Sequence, residues 1–205
     1  MINKFKVLIA ASVLFSAAAP AQSASIFREM KYYNINGKTA ADLDYALSNK
    51  GPFLKSTGQH HPGAAEIRFD AKVRYGKEDG KACKVTGVYV NVHGKVFLPR
   101  WKQRKRAPLE LAMIWDTLSS DIRRHEESHL VIARVHASEM EQTIARLYSR
   151  KDCADLRDDI NRVTEKIMEK HDKEQQRFDR VETINFESRF ERLLTYRLEQ
   201  LADSL

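Results

Sequence analysis

Residues 108–147 read PLELAMIWDTLSSDIRRHEESHLVIARVHASEMEQTIARL, and this stretch decides the fold. Positions suited to burial recur in it every three or four residues, which is the spacing of one helix face. Pro108 suits the first turn of a helix, where its missing N–H leaves no hydrogen bond unmade. The stretch predicts one long helix, whose inward positions are Trp115, Leu118, Ile122, His125, His129, Ile132, His136, Thr143 and Leu147.

Three residues of that helix carry the candidate chemistry, in the motif His125-Glu126-Glu127-Ser128-His129. Residues four apart stack on one helix face, so the two imidazoles can converge on a single ion. Two imidazoles, a third light-atom ligand and an open position are typical of zinc. Glu126 lies beside them, where it can take a proton from a water molecule activated by the metal. The alternative is two core histidines bonded to other polar groups.

A second helix follows, with the same spacing at Leu156, Ile160, Val163 and Ile167. We expect the third ligand from this helix, because no residue after the motif on the first helix can reach back. His136 lies on the right face but about 10 Å too far along the axis.

If the two helices turn around near Lys151, the inward residues level with the motif are His171 and Glu174. Glu174 would complete a two-His, one-Glu site, and His171 would complete a three-His site. Asp179, just beyond them, is the remaining candidate, either as a ligand or as a residue that orients one. A polar surface without a ligand is the alternative for each.

The segment before the long helix alternates between apolar and polar residues. Residues 67–75 and 83–93 predict two strands of a hairpin, with a bulge near Gly87 where the alternation changes phase. Residues 96–98 extend the second strand. Residues 31–35 predict a short strand, and a short helix follows it, capped by Thr39 and ended by Gly51-Pro52.

These patterns predict an α+β fold in one domain, residues 22–205. Residues 22–100 would form a small antiparallel β-sheet with a short helix. Residues 107–205 would form a hairpin of two long helices, which carries the motif, and a terminal helix. The basic run at 102–106 lies between the β-rich part and the helical part, and we interpret it as a solvated loop.

The first 21 residues are typical of a secretory signal peptide. Lys4 and Lys6 precede an apolar run at residues 7–18, and Ala19-Pro20-Ala21 supplies the small residues that signal peptidase prefers. The run is shorter than the ~20 residues of a membrane-spanning helix. We expect a periplasmic or secreted protein with no transmembrane helix after signal cleavage. Loss of the two lysines lowers the net charge from +7 to +5, and no nucleic-acid partner is expected.

Two cysteines, Cys83 and Cys153, occur in the chain. In an oxidising compartment an even pair predicts a disulfide bond. Closing a loop of that size would constrain the unfolded chain by about 4 kcal/mol on the entropic model. Two zinc-binding thiolates are the alternative, but the paired Cys-x-x-Cys spacing is missing.

With these residues identified, the chain resembles a bacterial family of domains of unknown function whose members are regarded as secreted zinc-dependent proteases. The resemblance rests on residues 32–37, Gly51-Pro52, the strand at Cys83, Leu98-Pro99-Arg100-Trp101, the motif from His125 to His129, Cys153 and Phe178-Asp179. It implies a periplasmic or secreted zinc hydrolase, with the catalytic motif on His125, Glu126 and His129. The chain departs from the family at Ser128, where a glycine is usual. It also lacks the His-Gly that ends the family's Tyr-Asp-x-x-Thr-x-His-Gly motif.

We therefore expect a zinc-dependent hydrolase of the metallopeptidase type that acts on a peptide or protein substrate in the cell envelope. Glu126 would assist the attack of water on a peptide or amide bond. The first alternative is a non-catalytic envelope protein of the same fold, which binds a metal or a partner. The second is a structural envelope protein in which the motif is accidental.

Overall fold

The computed structural model describes residues 24–55, 57–77 and 80–203, so the signal peptide predicted at 1–21 lies outside the described residues. The α+β fold class is confirmed. The strands are β1 (Ser25–Ile35), β2 (Phe53–Leu54), β3 (Gln59–His60), β4 (Ala64–Lys77) and β5 (Cys83–Trp101). The helices are α1 (Ala40–Lys50), α2 (Leu109–Ala145), α3 (Cys153–Ile184) and α4 (Phe186–Ala202), with a short 3-10 turn at Arg104–Arg106.

The main sheet has three strands in the order β1-β5-β4. β4 and β5 form the predicted antiparallel hairpin, and Thr86 has no partner in the register, beside the Gly87 where a bulge was predicted. β5 is one continuous strand of 19 residues. The sheet is mixed rather than wholly antiparallel, because β1 pairs with β5 in parallel. Alternation within a strand does not encode the direction of its neighbour.

Helix α1 begins with a capping box and ends where the chain turns back towards the long helices. The Thr39 hydroxyl accepts a hydrogen bond from the Asp42 backbone at 3.1 Å, and the Asp42 carboxylate accepts one from Thr39 in return. This capping box begins α1 as predicted. At its other end, a Cβ on Gly51 would lie 1.9 Å from the carbonyl oxygen of His61. Only glycine allows this close approach. It therefore determines the position of the loop that ends at Gly63.

The core lies between the sheet and α2. A Cβ on Gly94 of β5 would lie 2.5 Å from Leu130 Cδ2, so the helix rests directly on the central strand. The buried seam of α2 runs through Ile122, Glu126, Leu130, Ala133, Ala137 and Met140. Glu126 therefore faces the sheet. His125 and His129 are turned towards α3.

α2 and α3 form the predicted helical hairpin, and α4 folds back against α2. The predicted disulfide between Cys83 and Cys153 is confirmed, with the two Cα atoms 5.2 Å apart. It joins the start of β5 to the start of α3. Across the parts of the chain that the structure describes, no helix combines the length and the apolar character that a membrane span requires.

Candidate metal centre

His125 and His129 present their side chains at the same point beside α3. Their Nε2 atoms are 3.2 Å apart, as the spacing of four on one helix face predicts. Both rings are partly buried. Phe178 of α3 stacks on the His125 ring with 5.0 Å between ring centroids. The two imidazoles are thus held between the helices of the hairpin.

Asp179 of α3 meets both imidazoles. Its Oδ1 lies 3.1 Å from His129 Nε2 and 3.4 Å from His125 Nε2. Among the described residues this is the one group of three His, Cys, Asp or Glu side chains close enough to hold a metal ion. Zinc ligands at about 2.0–2.1 Å in a tetrahedron stand about 3.3 Å from one another. The three atoms therefore fit a zinc ion.

The structure places the two favoured candidates for the third ligand elsewhere. Glu174 Oε2 lies 2.9 Å from His136 Nε2, about two helical turns beyond the motif. His171 is buried, and its Nδ1 lies 3.0 Å from Asp172 Oδ1. Asp179, the remaining candidate, lies one helical turn or more beyond both. The two helices meet in a register a few residues away from the one that a turn at Lys151 predicts.

Gln175 fixes the orientation of the His129 ring. Its Nε2 donates to the His129 backbone carbonyl at 3.0 Å, so its Oε1 is the atom that faces the ring, 2.6 Å from His129 Nδ1. An amide oxygen only accepts, and Nδ1 must therefore carry the proton. That tautomer leaves Nε2 with a free lone pair, directed towards Asp179 and His125.

Charges at the centre are coupled to one another. Burial disfavours the Asp179 carboxylate, but the neighbouring His125 and His129 outweigh this effect and lower the pKa of Asp179 well below its usual range. Burial alone would lower the pKa of His129, yet hydrogen bonds to Asp179 and Gln175 outweigh it and raise that pKa. The Asp179 carboxylate thus favours the protonated form of His129, and the two imidazoles favour the ionised form of Asp179.

Glu126 lies on the sheet side of the same turn of α2. Its side chain is buried, and a Cβ on Gly63 would lie 2.6 Å from Glu126 Oε1, so the loop approaches the carboxylate closely. Burial raises the pKa of Glu126, and the nearby His125 and His129 oppose that shift. A carboxyl group whose pKa is raised above its usual value holds a proton more readily, which suits it to general acid–base catalysis.

The centre opens into a cleft between the helices and the loop that ends at Gly63. A cavity of about 770 Å³ is lined by the three candidate ligands, by Glu126 and by the first residues of β4. A second cavity of about 570 Å³ continues past Glu126 and His61 towards α4. His61, Gly63, His125 and Glu126 line both cavities. Solvent and a small molecule or peptide can therefore reach both the three candidate metal ligands and Glu126.

An ionic network supports this end of the cleft. Buried Asp121 of α2 lies 2.9 Å from Arg124 Nε and 3.1 Å from Arg189 Nε of α4. Arg124 also pairs with Glu182 of α3, whose Oε2 lies 3.5 Å from His125 Nδ1. Burial would raise the pKa of Asp121, but Arg189 and Arg124 outweigh it and lower that pKa. The network joins α2, α3 and α4 directly beside the motif.

Sequence reasoning did not identify Gln175, Glu182, Asp121 or Arg189. One signal was available: His171, Gln175, Asp179 and Glu182 recur at spacings of four, four and three, which places them on one face of α3. The pair Phe178-Asp179, already part of the family resemblance, was a second signal. No comparable signal in the sequence joins Asp121 to Arg189, which lie 68 positions apart.

No curated protein and no solved structure matches this chain at a significant level. A family model does match, over residues 30–186, which is about three quarters of the chain. The matched span contains the whole candidate centre, from the hairpin of the sheet to the end of α3. The chain therefore belongs to DUF922, a family described as bacterial proteins of unknown function.

Proposed function

We propose that this chain is a zinc-dependent hydrolase of the metallopeptidase type. The observation that carries the proposal is the triangle of His125 Nε2, His129 Nε2 and Asp179 Oδ1, with edges of 3.1 to 3.4 Å, beside buried Glu126. Three protein ligands of this kind leave a position open for water or substrate, which is typical of catalytic rather than structural zinc. The cleft supports the same conclusion, because it exposes that position.

Each residue of the centre has a distinct task in hydrolysis of a peptide or amide bond. Zinc held by His125, His129 and Asp179 would supply the Lewis acid that polarises the substrate carbonyl and lowers the pKa of water. Glu126 accepts a proton from the attacking water as the water oxygen bonds to the carbonyl carbon. It returns that proton to the leaving nitrogen as the carbon–nitrogen bond breaks. Gln175 keeps His129 in the tautomer that binds metal.

We also propose that the protein works in the periplasm or outside the cell, on a peptide or protein substrate. Two observations support this. Residues 1–21 are typical of a signal peptide, and the Cys83–Cys153 disulfide suits an oxidising compartment. Nucleic acid is not a proposed partner.

The test combines metal content with hydrolysis of a mixed peptide library. We expect about one zinc per chain in the wild type and in Glu126→Gln, but much less in His129→Ala. Glu126→Gln should lower the rate of hydrolysis by about 10²- to 10⁴-fold, as expected for loss of a general base. Glu127→Gln is the matched control, because Glu127 pairs with Arg28 and points away from the centre.

The outcomes separate the alternatives. Zinc that is retained without any hydrolysis would favour a non-catalytic metal-binding protein of the same fold. A wild type that binds no zinc would overturn the metal centre itself.

A further inference from the structure

A third cavity lies between α1, α2 and α4, with a volume of about 430 Å³. Its wall is built mainly from large apolar side chains, among them Leu43, Leu47, Ile114, Trp115, Leu118 and Phe190. The polar residues in its lining are Asp44 and Ser48, both exposed on the surface of α1. A charged group inside this cavity would lose its hydration without gaining a buried partner.

The apolar cavity continues the cleft of the candidate centre. Pro62, Ile122 and Phe186 line both the apolar cavity and the one that contains His125 and Glu126. Ile122 precedes Glu126 by four residues on the same face of α2, which separates the two side chains by about 5–6 Å. If the scissile bond of a peptide substrate lies at Glu126, the substrate side chain next to that bond can therefore enter the apolar cavity without leaving the cleft.

We propose that this cavity receives a large aliphatic or aromatic side chain of the polypeptide that is cleaved at the centre. The inference rests on the proposed function and defines its substrate class as peptides with such a residue beside the scissile bond. An apolar wall stabilises a leucine or phenylalanine side chain by removing it from water, whereas lysine has no buried counterion there. The proposal therefore predicts a preference that follows side-chain size and polarity.

Binding can be measured without turnover on the full chain of Glu126→Gln, loaded with zinc. The probes are four peptides that differ at one position, which is Leu, Phe, Ala or Lys. We expect the Leu and Phe peptides to bind at least about tenfold more tightly than the Ala and Lys peptides, since a methylene group in such a pocket is worth about 10-fold or more. Equal affinity for all four peptides, or no binding by any, would overturn the proposal.

Two substitutions that block the cavity sharpen this test. Ile114→Trp fills it from the wall, and Ser48→Trp covers it from the exposed surface of α1, where folding is least affected. Both should abolish the preference for Leu and Phe. Val131→Trp is the matched control on α2, because Val131 is exposed and lines none of these three cavities. A preference that survives both blocking variants would contradict the assignment.

Cleavage of the same peptides by the wild type separates this inference from the proposed function. Hydrolysis without a preference for Leu and Phe would keep the hydrolase and reject the role of the cavity. Selective binding that Ile114→Trp abolishes, with no hydrolysis by the wild type, would keep the cavity as a peptide-binding pocket and reject the hydrolase.

Discussion

At the scale of single residues, the candidate centre depends on neutral groups as much as on charged ones. Gln175 uses both ends of its amide on His129, accepting from the ring and donating to the backbone carbonyl. Its Nε2 also lies 2.9 Å from Nε2 of buried His171, and this contact helps to hold the amide group in place. An imidazole ring whose Nδ1 is already held by Gln175 loses little further freedom when it binds a metal.

Removal of Gln175 should therefore weaken zinc binding without removing a ligand. We expect Gln175→Leu to lower zinc affinity by about 10- to 100-fold, measured by competition with a chelator. Gln175→Glu should restore part of the affinity, because it keeps an acceptor for His129 Nδ1. Gln176→Leu is the matched control on the exposed neighbouring position. Equal losses in the Leu variants of Gln175 and Gln176 would contradict a positioning role.

The identity of the third ligand can be decided by a pair of substitutions on α3. We expect Asp179→Ala to lower zinc affinity by more than the about 100-fold that loss of a supporting hydrogen bond can cause. Glu174→Ala should change it little, because Glu174 contacts His136 instead. Both side chains are about half exposed, which makes the two variants comparable in their effect on folding. A larger loss of zinc affinity in Glu174→Ala than in Asp179→Ala would identify Glu174 as the third ligand instead.

At the scale of helices and strands, the packing of α4 against α2 matters because residues of α4 line two of the cavities of the cleft. α4 exposes apolar residues such as Tyr196 and Leu198, and it has no buried residue of its own in the described part of the chain. Two ion pairs join it to α2: partly exposed Arg197 lies 3.7 Å from Asp116, and Arg189 is mostly buried against Asp121. Removal of one member of such a pair leaves the other charge buried without compensation.

This argument predicts a pH-dependent loss of stability in Asp121→Asn. Because Arg189 and Arg124 lower the pKa of Asp121 in the folded state, its contribution is present above the unfolded carboxyl pKa of about 3.9 and is lost as the pH falls below it. We expect Asp121→Asn to lower the free energy of unfolding by about 3 kcal/mol at pH 7. The difference from the wild type should shrink at pH 3.

Urea denaturation at the two pH values measures this difference. Asp158→Asn serves as the control, because Asp158 and its partner Arg157 are both largely exposed, and such pairs contribute little. A loss that is the same at pH 7 and pH 3 would show that the carboxylate charge is not its cause.

At the scale of the whole molecule, the disulfide joins its two halves at one end. Cys83 begins the central strand and Cys153 begins α3, 70 positions later in the chain. Two backbone hydrogen bonds between Cys83 and Arg150, at 2.6 and 2.8 Å, reinforce the same junction. This junction anchors α3 against the sheet at the end opposite to the candidate centre.

Replacement of both cysteines by alanine should destabilise the protein through the unfolded chain. A loop of this length corresponds to about 4 kcal/mol of loop-closure entropy. We expect the double variant to lose about that much free energy of unfolding in urea, while its zinc content stays unchanged at low denaturant. The reduced wild type is the control and should resemble the variant. An unchanged midpoint in both would show that other contacts hold the junction.

The sequence by itself determined the features that repeat within one element. Periodicity in residues 108–147 predicted α2, and alternation predicted the hairpin of β4 and β5, because these patterns reflect a helix turn or a pleat and need no distant partner. The spacing of His125 and His129 placed both imidazoles together for the same reason. The disulfide was predicted from a pair of cysteines together with the predicted signal peptide.

Only the tertiary structure decided which residue of α3 faces the two histidines. At a rise of 1.5 Å per residue, Asp179 lies about 7.5 Å along the axis from Glu174 and about 12 Å from His171, so a shift of one to two helical turns in the register changes which of them is level with the motif. Packing against the sheet and the length of the turn between the helices set that register, and neither is local to α3. The parallel pairing of β1, the contact of Gln175 with His129 and the Asp121–Arg189 pair have the same origin. Each joins groups whose separation in the chain carries no periodic signal.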